Sequence, residues 1–129
     1  MQVEDFLRRV LGEDGYYCLF SFHTKGDRRV QKFYTSIGDM ADAARERDSK
    51  GYDSYFALST FKETNSRRVD NVHQLKSFFL DLDCGVTKDY PDQDKALVAL
   101  QGFCETLSLP KPKLVNSGRG VHAYWFLSE

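Results

Sequence analysis

The chain has 129 residues, enough for one domain with its own hydrophobic core and too few for two independent ones. Hydrophobic residues make up 41% of the sequence and aromatic residues 14%, which excludes a disordered protein. With 18 basic and 19 acidic residues the net charge is -1, so the chain lacks the overall positive charge typical of nucleic-acid-binding domains. We therefore expect one folded domain in which any electrostatic site is local.

The cysteines indicate a reducing compartment. Cys18, Cys84 and Cys104 are widely spaced and contain no CxxC pair, which argues against a disulfide framework or a zinc site. We expect buried thiols. No apolar run is long enough to cross a bilayer, and the amino terminus lacks the pattern of a secretory signal. The sequence thus predicts a cytoplasmic protein with no membrane contact.

In the first half of the chain, helix and strand patterns alternate. Apolar residues at helical spacing predict a helix over residues 3–11 that stops at Gly12. The segments "YYCLFSF" and "VQKFYT" flank a polar, glycine-containing turn, which predicts a β-hairpin. Ser36, followed three residues later by Asp39, begins a second helix that ends near Gly51. The aromatic "YDSYFALSTF" then predicts a strand, and "KETNSRRVDN" predicts a loop.

The second half reads as strand, helix, strand, strand. The strand "KSFFLDLDCG" precedes a helix whose apolar face contains Leu97, Leu100, Cys104 and Leu107. "PKPKLVNS" and "VHAYWFL" predict two strands joined by the tight loop "GRG". The predicted fold class is α+β, in a single domain over residues 1–129. We divide this domain into an amino-terminal α/β module, 1–70, and a unit that carries the conspicuous motifs, 71–129.

Two carboxylates end the strand "KSFFLDLDCG". Asp81 and Asp83 are two positions apart, so on a strand they share a face, with Cα atoms about 6.5 to 7 Å apart. On the other face, Phe78, Leu80 and Leu82 are expected to anchor the strand in the core. Two close carboxylates repel, and Mg²⁺ or Mn²⁺ relieves that repulsion. The alternative is a strand that enters a polar turn with both aspartates solvated, since D-x-D alone is a weak motif.

The segment "NSGRGVHAYW" contains residues that are typical of an anion-binding site. Gly118 and Gly120 allow close approach of backbone N–H groups to a phosphate, while Ser117, Arg119 and His122 add a hydroxyl, a guanidinium and an imidazole. A hairpin turn explains the glycines equally well, and a lone histidine is often structural.

The acidic pair and the glycine loop are more specific together than apart. A metal site and an anion cradle on neighbouring strands are what phosphoryl or nucleotidyl transfer requires. Strand alternation also places His122, Tyr124 and Phe126 on one face. We therefore predict that Asp81, Asp83 and His122 emerge on the same face of one sheet.

"FFLDLDCG" followed by "LPKPKLVNSGRGVHAYW" resembles the archaeo-eukaryotic primase superfamily, specifically the primase-polymerase domains of phages, plasmids and other mobile elements. Those domains carry an hhhDhD motif, in which h is hydrophobic, and then an S-G-x-G-h-H motif, in this order and at a similar distance. The stretch from "YDSYFALSTF" through "RRVDNV" is also similar to the segment before the acidic motif. The first fifty or so residues, "MQVEDF" to "RERDSKG", match only loosely.

The resemblance implies a primase-type catalytic core, in which the amino-terminal module precedes the first part of an RRM-like β-α-β-β unit. The implied activity is that of a DNA primase or polymerase, using nucleoside triphosphates on a single-stranded DNA template, with a helicase domain or subunit as a further partner. Asp81 and Asp83 would coordinate two Mg²⁺ or Mn²⁺ ions, and Ser117 and His122 would hold the nucleotide phosphates. The other residues implied in phosphate or template contact are Gly118, Arg119, Gly120, Arg67 and Arg68.

The family's metal site includes a third acidic residue on a strand well beyond the second motif. This chain ends soon after His122. We expect an amino-terminal piece of a longer primase-polymerase or, less favoured, a degenerate form. On its own it should bind metal and nucleotide weakly and polymerise poorly.

Two alternatives stay open. "FFLDLDCGVT" also resembles the nucleophile motif of haloacid-dehalogenase-type phosphatases, in which Asp81 would be phosphorylated and Asp83 would be the acid-base. That fold needs repeated β-α units downstream, whereas the residues after Asp83 predict a hairpin. The second alternative is a non-catalytic nucleic-acid-binding or docking module whose aromatic sheet stacks on bases.

Overall fold

The computed structural model describes residues 2–127, and Met1, Ser128 and Glu129 lie outside the described residues. The chain divides into two compact units, Met1–Lys76 and Ser77–Glu129. Within the described residues there are three α-helices and three small antiparallel sheets. The predicted α+β class is confirmed. None of the helices within residues 2–127 is long and apolar enough to span a membrane.

The first unit contains two sheets and two α-helices. Its elements are α1 (Val3–Val10), β1 (Tyr17–His23), β2 (Arg29–Tyr34), α2 (Ile37–Ser49), β3 (Tyr52–Phe56), β4 (Ser59–Phe61), a 3-10 helix (Val69–Asn71) and β5 (Val72–Leu75). β1 pairs with β2 and β3 in the order β2-β1-β3, and β4 pairs with β5.

The first three predicted features of the first unit, which are helix α1, the β1–β2 hairpin and helix α2, are confirmed. α1 ends at Val10, just before Gly12, with Leu7 and Val10 buried. β1 and β2 form the expected antiparallel hairpin. Ser36 caps α2, because its Oγ accepts a hydrogen bond from the Asp39 N–H at 3.0 Å. Such a cap contributes about 1 kcal/mol by satisfying an otherwise unpaired donor.

The stretch "YDSYFALSTF" forms two strands instead of the predicted single strand. β3 pairs with β1, whereas β4 pairs with β5 in a second sheet. At the break, the Ala57 N–H donates to the Cys18 carbonyl at 3.0 Å. β5, which carries the short polar sequence "VHQL", was not predicted. Because β5 pairs with β4, the first unit extends to Lys76 instead of ending at residue 70.

The second unit contains β6 (Ser77–Asp83), α3 (Gln93–Thr106), β7 (Lys113–Asn116) and β8 (Gly120–Phe126), in the predicted order β-α-β-β. The sheet order is β6-β8-β7, and both outer strands are antiparallel to β8. β6 and β7 are therefore parallel to each other with β8 between them, which is a split β-α-β arrangement.

α3 covers one face of this sheet. Asp92 caps the helix, because its Oδ1 accepts from the Lys95 N–H at 2.8 Å. The buried cluster between helix and sheet consists of Leu82, Ala96, Leu100, Cys104, Val121 and Ala123. Full burial of a leucine-sized side chain contributes about 2 kcal/mol, so this cluster fixes both the helix and the register of β6 against β8. The residues that alternate with Leu82 and Val121 face away from α3.

Some apolar residues predicted in the core are not buried. Phe78 is 59% exposed, because the cluster under α3 includes Leu80 and Trp125 at its edge and does not reach the beginning of β6. Leu107 is 55% exposed, because it is the C-cap residue and lies past the last turn of α3. All three cysteines are free thiols, and Cys84 is only partly buried, whereas Cys18 and Cys104 are buried.

Candidate functional site

The predicted site residues of the second unit meet on the sheet face opposite α3. In the β6–β8 register, Asp81 lies directly across from His122, and Asp83 lies across from Gly120. Because side chains alternate along a strand, Asp83 shares the face of Asp81, and Leu82 takes the buried face. The prediction that Asp81, Asp83 and His122 emerge on one face is confirmed.

Asp81 and His122 contact each other across the two strands. His122 Nε2 lies 3.3 Å from Asp81 Oδ1, with the side chains 30% and 46% exposed respectively. The Phe79 ring packs edge to face on the imidazole at 5.0 Å between centroids, and it also lies 5.0 Å from the Tyr124 ring. The imidazole is therefore held between a carboxylate and an aromatic ring, while both polar partners stay accessible.

The carboxylates are the anionic groups of this face. Burial raises the pKa of Tyr124, and the charge of Asp81 raises it further. Desolvation raises the pKa of Cys84, with additional contributions from Asp92 and Asp83. The phenol of Tyr124 therefore stays protonated near neutral pH beside Asp81, whereas Cys84 packs against the core cluster under α3.

A cavity of about 290 Å³ opens beside Asp81 and Asp83. Its other wall is the loop after β6, which the Gly85 N–H closes by donating to the Tyr90 carbonyl at 2.9 Å. Lys88 and Asp89 both line this wall, so the loop carries one basic and one further acidic side chain at the cavity. Lys88 was not among the predicted site residues, although it lies shortly after the acidic motif in the sequence.

Asp81 and Asp83 fit a hard divalent cation as a partial ligand set. Within residues 2–127, no group of three or more His, Cys, Asp or Glu side chains is placed to hold a metal ion. Mg²⁺ characteristically takes one or two protein carboxylates and completes its shell with water and substrate phosphates. The donor chemistry of this pair therefore suits a cation that is shared with a phosphate-bearing ligand.

The loop "NSGRG" is a tight turn that uses two of its own N–H groups. The Ser117 N–H donates to the Gly120 carbonyl at 3.1 Å, and the Gly118 N–H donates to Asn116 Oδ1 at 2.8 Å. Gly118 has φ +89°, a conformation that favours glycine. Ser117 and Arg119 are exposed. The N–H groups of Ser117 and Gly118 are therefore engaged within the turn, and the exposed side chains of Ser117 and Arg119 are available for phosphate contact.

Gly120 is required by the sheet itself. A Cβ atom at this position would collide with the carbonyl oxygen of Leu82 on the paired strand. The second glycine of the motif thus allows β8 to begin close to β6, directly across from Asp83.

Gln93 and Asn116 are polar residues of this region that the sequence analysis missed. Gln93, the first residue of α3, donates from Nε2 to Asn116 Oδ1 at 2.8 Å and to the Gly120 carbonyl at 3.2 Å. Asn116 begins the segment "NSGRGVHAYW", but no pattern indicates its contact with Gln93, because that contact depends on where α3 meets the turn.

Arg67 and Arg68 belong to the first unit, in the segment between β4 and the 3-10 helix. The Arg67 guanidinium carbon lies 4.8 Å from the centroid of the Phe20 ring, a cation-π contact. The Arg68 N–H contacts Ser66 Oγ at 3.4 Å, and its side chain is exposed. Their predicted role in phosphate or template binding stays a prediction.

The chain is distantly similar to a curated protein from Clostridium perfringens named "Replication protein". The two are 29% identical over 85 residues, which make up 65% of this chain and 20% of that protein. The match thus spans about a fifth of the length of the relative. No protein-family model matches the chain, and no solved structure matches it. The similarity is to a protein named for replication and does not identify the primase superfamily.

Proposed function

We propose that this chain acts in DNA replication and carries the acidic and nucleotide-binding motifs of a primase-polymerase of phage, plasmid or mobile-element type. The observation that carries the proposal is the β6–β8 register, which brings Asp81 and His122 together on one accessible face. The similarity to a protein named for replication supports the biological setting.

The proposed reaction is template-dependent nucleotidyl transfer. The 3′-hydroxyl oxygen of the growing strand forms a bond to the α-phosphorus of a nucleoside triphosphate and loses its proton to solvent. The bond from the α-phosphorus to the α,β-bridging oxygen breaks, and pyrophosphate leaves with that oxygen. Asp81 and Asp83 would hold Mg²⁺ or Mn²⁺, which supplies charge neutralisation and activation of the attacking hydroxyl. Ser117, Arg119 and His122 would donate hydrogen bonds to the triphosphate and orient it.

The proposed partners are nucleoside triphosphates, a single-stranded DNA template and a helicase domain or subunit. Within residues 2–127 no third acidic side chain is grouped with Asp81 and Asp83 to hold a metal ion. We therefore expect weak binding of metal and nucleotide and poor polymerisation by the isolated chain. Robust primer synthesis by the isolated chain would overturn that expectation.

The decisive experiment compares Asp81→Asn and Asp83→Asn with Asp53→Asn, a control that changes an exposed aspartate on β3 of the first unit. Binding of Mn²⁺ is followed by electron paramagnetic resonance, with and without dATP, and binding of single-stranded DNA by fluorescence anisotropy. We expect Asp81→Asn and Asp83→Asn to weaken Mn²⁺ binding at least tenfold and to keep most DNA affinity, while Asp53→Asn changes neither. A wild-type chain that binds no Mn²⁺ with dATP would refute the proposal.

A non-catalytic nucleic-acid-binding module is the second candidate, favoured by the 40% exposed ring of Phe79 beside His122. This alternative predicts that Phe79→Ala weakens DNA binding, whereas Asp81→Asn changes neither metal nor DNA binding. The phosphatase alternative requires repeated β-α units after Asp83. β7 and β8 instead form an antiparallel hairpin, so we do not propose it.

A further inference from the structure

The turn over residues 116–120, here called the 116–120 turn, has two oxygen acceptors that each receive two hydrogen bonds. Asn116 Oδ1 accepts from the Gly118 N–H at 2.8 Å and from Gln93 Nε2 at 2.8 Å. The Gly120 carbonyl accepts from the Ser117 N–H at 3.1 Å and from Gln93 Nε2 at 3.2 Å. One side-chain amide thus bridges both ends of the turn.

Gln93 is well placed to hold the turn in a fixed position. It is the first residue of α3, directly after the Asp92 cap. Ala96 and Leu100 of the same helix are buried in the core of the second unit. A primary amide has two N–H hydrogens, so one nitrogen can serve two acceptors. A glutamate at this position would direct carboxylate oxygens at two other oxygens, and a hydrophobic side chain would offer no donor.

We propose that Gln93 is a positioning residue for nucleotide binding, which acts by fixing the 116–120 turn without touching the nucleotide. This inference rests on the proposed function. Ser117 and Arg119, the exposed residues of the turn, are the groups that would contact phosphates. A turn that is already ordered binds a ligand without a further loss of conformational freedom. Without these two hydrogen bonds the turn must be ordered when the nucleotide binds, which predicts a decrease in nucleotide affinity of about tenfold.

The test uses Gln93→Ala and Gln93→Met. Both remove the donor, both residues favour helices, and methionine keeps the length of the side chain. Gln101→Ala is the matched control, because Gln101 lies on the same helix and its Nε2 contacts Glu105 Oε1 within that helix, at 3.3 Å. Three quantities are measured for each variant: the affinity for Mn²⁺ alone, the affinity for dATP with Mn²⁺, and the exchange rate of the Gly118 amide hydrogen by NMR.

We expect the Gln93 variants to bind Mn²⁺ alone as the wild type does and to bind dATP about tenfold more weakly. We expect the Gly118 amide to exchange faster in these variants, because Asn116 loses the donor that fixes it. Gln101→Ala should match the wild type in all three measurements. A merely structural role for Gln93 in folding would lower metal and nucleotide affinity together.

Two results would overturn the inference while leaving the proposed function standing. One is an unchanged Gly118 exchange rate in both Gln93 variants. The other is faster Gly118 exchange with unchanged dATP affinity. Failure of the proposed function looks different, because the wild-type chain would then bind no dATP with Mn²⁺, and the nucleotide role of Gln93 would be overturned with it.

Discussion

In the first unit, buried polar side chains form hydrogen bonds with the backbone or with other side chains. In the second unit, Asp81 and His122 instead lie on an accessible face of the sheet. Asn71 is 6% exposed and makes three hydrogen bonds to the backbone of Glu63 and Ser66. Asp81 and His122 contact each other yet remain 46% and 30% exposed. Buried polar groups with satisfied backbone partners hold a fold together. Accessible polar groups aligned by strand register are available for a ligand.

The largest expected effect is on the sheet of the second unit. Gly120→Ala should cost about 3 kcal/mol or more, because the new Cβ meets the Leu82 backbone, which cannot move without disturbing strand pairing. Hydrogen exchange measured by mass spectrometry should show lost protection in peptides from residues 77–127. Gly26→Ala is the control, since an added Cβ there meets no atom within 4 Å. Equal loss of protection in the first unit would show that the two units unfold together.

A smaller effect is expected from Asn71→Ala in the first unit. The substitution leaves two backbone groups of Glu63 and the Ser66 carbonyl without their partner, at a cost of about 2 kcal/mol. Faster hydrogen exchange in peptides from the first unit, measured by mass spectrometry, would show this loss of stability. Asn65→Ala, an exposed asparagine in the same segment, should stay within about 0.5 kcal/mol of the wild type. If Asn71→Ala and Asn65→Ala show the same hydrogen exchange, the hydrogen bonds of Asn71 do not stabilise this segment.

Gly102→Ala should stabilise the second unit by about 0.5 to 1 kcal/mol. Gly102 lies inside α3, where glycine is costly, and an added Cβ meets no atom within 4 Å. A urea denaturation curve with a higher midpoint would confirm the gain. Gly38→Ala, in the first turn of α2, should raise stability by less than Gly102→Ala does. A lower midpoint for Gly102→Ala would show that this helix face needs close packing.

The smallest effect concerns a surface ion pair in the first unit. The hydrogen bond from His73, at 3.0 Å, and the charge of its ring lower the pKa of Asp14 below its usual 3.8. A lowered pKa adds stability above the usual value, and that stability is lost as pH falls through the lowered value. Asp14→Asn should therefore lower the melting temperature slightly at mildly acidic pH and not at strongly acidic pH. A difference that persists at all pH values would point to a cause other than this charge.

Local and periodic signals explain which parts of the fold were predictable. The Ser36 cap, the hairpin turn and the helix after Asp92 depend on neighbouring residues, so the sequence alone predicts them. Asp81 and His122 were predicted to share a face because both segments were correctly predicted as strands, along which side chains alternate. The predicted metal and nucleotide roles of these residues remain predictions.

The features that were missed depend on contacts between distant parts of the chain. β5 forms because β4 offers it a partner, although "VHQL" has little strand signal of its own. The exposure of Phe78 reflects how far the α3 core extends. The contact of Gln93 with Asn116 and the closeness of Gly120 to Leu82 both arise from packing. None of these could be read from a local pattern.

The position of β8 between β6 and β7 has a kinetic consequence. Asp81 and Asp83 are synthesised early in the second unit, but their strand has no partner in this sheet until β8 is made and inserts between its neighbours. Pairing of strands so far apart in sequence is slow, because a long loop must close first. The acidic strand therefore has no partner in this sheet until β8 is available, and Asp81 and His122 cannot face each other before β6 and β8 pair.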